Sequence, residues 1–353
     1  MIKKWLNRVF IDGLSGMAMG LFATLIVGTI ISQIGTIVGG ETGNYLVMMS
    51  SVAKVLTGAG IGVGVAHKYG ESPLVTVSAA SAGMIGAFAS KLLAGEVIVE
   101  GALHLTGAGE PLGAFIAAYV GIELGHLVSG KTKLDILVTP MVTILLGGMV
   151  GLFVGPPISQ FMAQLGAMIQ WGTEQQPFLM GIIVSVLMGM ILTLPISSAA
   201  LGVVLNLSGI AAGAAAVGCS TQMVGFAVAS FKENKFGGLV AQGIGTSMLQ
   251  VPNIVRKPLI WVPPTLASAI LGPVSTIVLK MTNNAIGPGM GTAGLVGQIM
   301  GYQTMVGEGL ASKVVLIEII VMHVIAPAIL TYVIAEFMRR KGLIKDGDMK
   351  LDL

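Results

Sequence analysis

Amide and hydroxyl side chains gather in two uncharged stretches of this 353-residue sequence, and ionisable groups follow the second. Residues 206–231 carry Asn206, Ser208, Ser220, Thr221 and Gln222; residues 283–304 carry Asn283, Asn284, Thr292, Gln298 and Gln303. Glu308 comes next, and further on stand Glu318 and His323. Carboxamides and hydroxyls offer donors and acceptors together, so this set can exchange hydrogen bonds with the hydroxyls of a neutral polyol. The candidate binding residues are Asn206, Gln222, Asn283, Asn284, Gln298, Glu308 and His323.

Catalytic chemistry has much less support. The sequence has no Gly-x-Ser-x-Gly, no His-Glu-x-x-His and no phosphate-binding loop ending in Gly-Lys-Ser/Thr. Glu123 and His126 fit a hydrogen bond at the edge of a span, but two residues are too few for a metal site. Cys219, the single cysteine, lies in an apolar run with no nearby base and reads as a buried small residue. No catalytic residue, cofactor or metal is expected, and nothing basic and aromatic enough for nucleic acid is present.

The elements that hold the polar residues are set by charge. Only 10% of residues are charged and 54% are hydrophobic, against about 25% charged in a soluble chain. No charge occurs from Ile136 to Thr173, Gln175 to Phe231, Pro258 to Leu279 or Met281 to Gly307. A spanning helix needs roughly 20 apolar residues. The fold class expected is therefore an all-α integral membrane protein of about 8–10 spans plus two re-entrant hairpins. The spans fall near 13–38, 44–66, 73–91, 111–129, 134–154, 177–203, 259–279 and 311–337. The run after Lys3, Lys4 and Arg8 is long for a signal peptide and reads as a retained first span. Lysine and arginine near the span ends put both termini in the cytoplasm of a bacterial cell, with Glu41, Glu96, Glu100, Glu110 and Glu174 opposite.

The expected organisation is a transmembrane region over 1–155, an interfacial amphipathic linker over 156–176, a substrate-binding region over 177–340 and a cytoplasmic tail over 341–353. Residues 92–110 read as an acidic hairpin or surface element. The two small-residue stretches read as re-entrant hairpins, because Gly287-Pro288-Gly289 breaks a helix and irregular backbone must be buried or face a wet cavity. They align at an offset of 76, with Gln222 on Gln298 and Phe226 on Tyr302, which suggests repeated halves over 177–257 and 258–337. The competing account is close helix packing through glycine; it suits Gly58, Gly60, Gly62 and Gly64 better. Several ionisable residues admit two readings. Glu308 is either a site residue or a solvated hairpin exit, and Glu318 and His323 are either functional or structural polar contacts. Lys54 either snorkels or pairs with Glu123, and His104 reads as a surface residue.

Three passages, PISSAALGVVLNLSGIAAGAAAVGCSTQMVGFA from Pro195, QVPNIVRKPLIWVPPTLASAILGPV from Gln250 and NNAIGPGMGTAGLVGQ from Asn283, carry a resemblance. They are similar to the membrane IIC component of bacterial sugar phosphotransferase systems, in the divergent second type that includes proteins like the perfringolysin O regulator. The resemblance implies a homodimer formed through the N-terminal spans, with two hairpins around a sugar-like substrate. It also implies a glutamate and a histidine near the hydroxyl to be phosphorylated, for which Glu308 and His323 are the candidates. Phosphotransfer then requires separate IIA and IIB proteins. The leading expectation is a permease for a small polar solute, acting by alternating access. The alternative is a membrane sensor that keeps a transporter fold.

Overall fold

The computed structural model describes residues 2–99 and 101–351; Glu100, one of the acidic residues expected on the hairpin, lies outside them. The chain divides into two compact units, Met1–Met162 and Ala163–Leu353. Six helices among the described residues are long and apolar enough to cross a membrane. A bent pair makes a seventh candidate, and Pro73–Ala87 and Pro177–Thr193 are shorter apolar helices.

The first unit opens with α1 (Trp5–Val38), which is 34 residues long, or about 50 Å at the usual helical rise. It returns through α2 (Gly40–Val55), which meets α3 (Thr57–Tyr69) at a bend of 53°. Next come α4 (Pro73–Ala87) and α5 (Pro111–Val128). Backbones approach closely here because glycine faces glycine. A β-carbon on Gly20 would stand 2.1 Å from the Gly60 carbonyl oxygen, and one on Gly64 would stand 2.3 Å from that of Gly16. Such faces let helices associate where lipid supplies no hydrophobic drive. These glycines face one another inside the unit, in keeping with the close-packing account of Gly58, Gly60, Gly62 and Gly64. Residues 92–110 include a small antiparallel pair, Ile98–Val99 with Ala102–Leu103.

Two ionic expectations change in this unit. Glu123 is taken by Arg8, with Nε 2.6 Å from Oε1, and not by Lys54. His126 Nδ1 lies 2.8 Å from Glu71 Oε2 and does not pair with Glu123. Arg8 also reaches Glu71 at 3.1 Å and lies over the Tyr69 ring.

Helix α6 (Asp135–Thr173) runs 39 residues with Pro140, Pro156 and Pro157 inside it. Residues 156–173, within the segment expected as an interfacial linker, belong to this helix. Within its apolar stripe, Ile169 is buried and Phe161 exposed.

The second unit contains α7 (Pro177–Thr193), α8 (Ser198–Val204), α9 (Gly209–Ala229), α10 (Pro258–Val278), α11 (Val296–Gly307) and α12 (Ser312–Arg340). The span expected over 177–203 breaks before Ser198, where Pro195 lacks an N–H and disfavours a helical neighbour. Helix α9 is the centre, touching α7, α10 and α12, and every residue from Ala211 to Ala227 is buried. The re-entrant hairpin expected over 206–231 is thus corrected to a continuous 21-residue helix. Its glycines serve close approach and do not mark a break. A β-carbon on Gly213 would meet Met281 O at 1.9 Å, and one on Gly218 would meet Ser185 O at 1.9 Å.

The second stretch behaves as its proline predicts. Between α10 and α11 the backbone is irregular, with positive φ at Lys280, Gly291, Gly294 and Leu295. Asn283, Gly287, Pro288 and Gly289 are buried, so this part of the irregular backbone is enclosed by protein, whereas Lys280, Ile286 and Leu295 are exposed. Reciprocal hydrogen bonds between Gly209 and Asn283, at 3.0 and 3.2 Å, tie it to the start of α9. Ser198 Oγ donates to Gly289 O at 2.6 Å. A β-carbon on Gly289 would stand 2.1 Å from Ser198 O, whereas one on Gly307 would meet nothing within 4 Å. Gly289→Ala is therefore expected to cost about 1–3 kcal/mol through overpacking. Gly307→Ala should be neutral or stabilising by up to about 1 kcal/mol through helix propensity. Thermal unfolding in detergent compares the two; equal effects would mean that the approach to Ser198 is not a constraint.

Candidate functional site

The site grows from three elements of the second unit. Helix α9 presents Ser220, α11 presents Gln298, and a π-helical turn within α12, Val321–Ile325, presents His323. Single π-turns inside helices recur at functional positions because the extra residue redirects a side chain. Gln298 Nε2 stands 3.1 Å from Ser220 Oγ and 2.8 Å from His323 Nδ1. An amide nitrogen only donates, so Nδ1 accepts and the ring hydrogen sits on Nε2. Both Gln298 Oε1 and His323 Nε2 are buried and lack a hydrogen-bond partner among the described residues. Their network therefore keeps one spare acceptor and one spare donor.

Each matches a hydroxyl group: Nε2–H can donate to one hydroxyl oxygen and the amide oxygen can accept from another, so a compound with several hydroxyls can pair both. An unpaired buried polar group costs about 1–3 kcal/mol, so an occupant that pairs both stabilises the site. His323 is only 2% exposed and Ser220 is fully buried. Close to them, Thr292 Oγ1 donates to Met223 Sδ at 3.4 Å, and a β-carbon on Gly291 would lie 2.9 Å from Ser220 N. The irregular segment is thus pressed against the turn of α9 that carries Ser220.

The remaining candidates are spread over different surroundings. Gln222 is buried two residues beyond Ser220 in a cluster of its own. Its Oε1 accepts from Trp261 Nε1 at 3.0 Å and its Nε2 donates to Thr265 Oγ1 at 3.2 Å. Thr193, bonded to Ser247 at 2.9 Å, lies 3.4 Å from the same Oε1. Asn283 spends its side chain on the main chain, donating to Gly297 O and accepting from Asn284 N. Asn284 Oδ1 accepts from Ile286 N, and its Nδ2 lies 3.4 Å from Thr304 Oγ1. These two asparagines shape the irregular segment. Glu308 is exposed at the end of α11 and accepts from Thr282 Oγ1 at 2.6 Å. Asn206 is an exposed turn residue between α8 and α9, with the positive φ that asparagine tolerates.

Sequence reasoning put Ser220, Gln298 and His323 among the polar candidates without joining them. It passed over Trp261, Thr265, Thr193 and Ser247 altogether. It also passed over a second amide group, in which Gln250 Nε2 donates to Gln242 Oε1 and Asn253 Nδ2 donates to Gln250 Oε1. The available signal was two carboxamides three residues apart within an apolar run, Gln250 and Asn253.

A family model described as phosphotransferase system, EIIC, matches residues 11–351. The chain belongs to that family. No curated protein matches it. As a phosphotransferase EIIC protein it is a multi-pass membrane protein and the sugar-transport component of such a system. Family membership gives the spare donor and acceptor in α11 and α12 a context, since the ligand class it implies is rich in hydroxyls.

Proposed function

We propose that this EIIC chain binds a sugar or related polyol through hydroxyls paired separately with His323 Nε2 and Gln298 Oε1, and carries it across the bilayer by alternating access. The observation that carries the reading is the pair of buried, unmatched hydrogen-bonding atoms in one network, on α11 and α12, which follow the irregular 279–295 segment. Broken segments near the middle of a bundle are where transporters commonly place substrate. The irregular 279–295 segment and the π-turn at His323 are the elements best suited to change conformation, because both depart from regular α-helical hydrogen bonding.

Four further parts belong to the same reading. The chain works as a homodimer built through its first unit, and phosphate reaches the sugar only from separate IIA and IIB proteins. Both termini face the cytoplasm, where the basic residues of the chain ends collect. Glu308 stands at the mouth of the route and not at the buried pair.

A thermal-shift screen of the purified chain with sugars and polyols, followed by counterflow in proteoliposomes, tests the reading. One sugar class should raise the unfolding temperature and exchange across the membrane. Binding without counterflow would favour the sensor reading, and no response to any sugar would remove the assignment.

A further inference from the structure

The end of the chain folds back on the second unit. Ile344 and Met349 are buried with Phe226, Ile254, Ile260 and Met338. The main chain is also gripped: Met349 O accepts from Asn234 Nδ2 and Gln250 Nε2, and Lys350 O accepts from Asn253 Nδ2. Leu351 N donates to Asn234 Oδ1 at 2.8 Å. This clamp makes residues 342–346 a fixed wall, and between that wall and the end of α12 lies a cavity of about 400 Å³. Four cations line it, Lys232, Arg339, Arg340 and Lys345, against two carboxylates, Glu336 and Asp346.

We propose that this cavity is a binding site for a phosphate-bearing anion. Its cations are incompletely matched. Glu336 is shared between Lys232 at 3.1 Å and Arg340 at 4.0 Å. Lys345 makes no ion pair among the described residues. Arg339, with 7% of its side chain exposed, uses its terminal nitrogen on Glu233 and Ala229 O, while its buried Nε makes no hydrogen bond. Asp346 Oδ1 stands 3.8 Å from that nitrogen, beyond hydrogen-bond reach, and its side chain is 84% exposed. A phosphate oxygen in the cavity gains charge-assisted bonds from the exposed Arg340 guanidinium and Lys345 ammonium that line it. The volume leaves room for the organic part of a phosphate ester. The cavity sits at the end of a membrane-length helix, so a free phosphate compound and an anionic lipid headgroup share the chemistry it recognises.

The experiment uses the full chain in detergent and reads its unfolding temperature, which a ligand of the folded state raises. One arm adds inorganic phosphate against sodium chloride of equal ionic strength. The other adds dioleoylphosphatidylglycerol against dioleoylphosphatidylcholine. At least one anion should raise the unfolding temperature by several degrees, and the rise should vanish in Arg340→Gln/Lys345→Gln, two exposed positions. A response to phosphate assigns a soluble ligand, and a response confined to phosphatidylglycerol assigns a headgroup. No rise in either arm, or a rise that survives the double substitution, overturns the proposal.

Discussion

Counterflow of the recognised sugar is expected to fall about 30-fold in apparent affinity when His323 is replaced by alanine, with the fold retained. The figure follows from two neutral hydrogen bonds of about 1 kcal/mol each, one lost directly from Nε2 and one because Gln298, released from His323 Nδ1, no longer holds Oε1 toward its own hydroxyl. Gln298→Leu should cause a similar loss, since it removes the acceptor and frees His323 Nδ1 from its 2.8 Å partner. The decisive comparison uses a deoxy sugar lacking the bound hydroxyl. Unmodified protein should discriminate against a sugar without the hydroxyl bound to His323 by about fivefold, the worth of one such bond, and His323→Ala should barely distinguish the two sugars, because contacting partners give non-additive losses. Ser220→Ala should have a smaller effect, since Ser220 only accepts from Gln298 and helps to orient it. Undiminished discrimination in His323→Ala would place the hydroxyl site elsewhere.

The membrane class was readable because four long windows without charge admit no other solvent. Helix continuity was harder. Both small-residue stretches looked alike in composition, yet 209–229 is one helix and 279–292 is not helical. Pro288 is the difference, for glycine permits a break and also permits close approach, and only neighbours in space decide between them. Gly213 and Gly218 are small because Met281 O and Ser185 O press on α9, and those residues are distant in sequence. The pairing of Gln298 with His323 was hidden for a related reason. They are 25 residues apart, with Glu308 to Ala311 turning the chain between two helices. Asn206 was chosen for its amide, but its place is a turn. The last residues read only as a cytoplasmic tail; the apolar Ile344, Met349 and Leu351 were the sign that part of it is buried.

Burial of charge supplies the largest stability effect expected here. Arg339 and Glu233 have side chains only 7% and 6% exposed, and the arginine reaches both carboxylate oxygens at 3.0 and 3.2 Å. Removing one partner leaves the other as an uncompensated buried ion, at a cost of about 3–5 kcal/mol. For a unit of this size that corresponds to a fall of roughly 10 °C or more in unfolding temperature. Arg339→Met and Glu233→Leu should each show it in detergent. The double substitution should recover most of the loss, because replacing both ions with apolar groups removes the desolvation penalty along with the attraction. A remaining deficit in the double variant measures the bond from Arg339 to Ala229 O, which closes the end of α9. If the double variant is as unstable as either single one, packing of the arginine stem under the C-terminal segment, and not its charge, holds this end of the unit together.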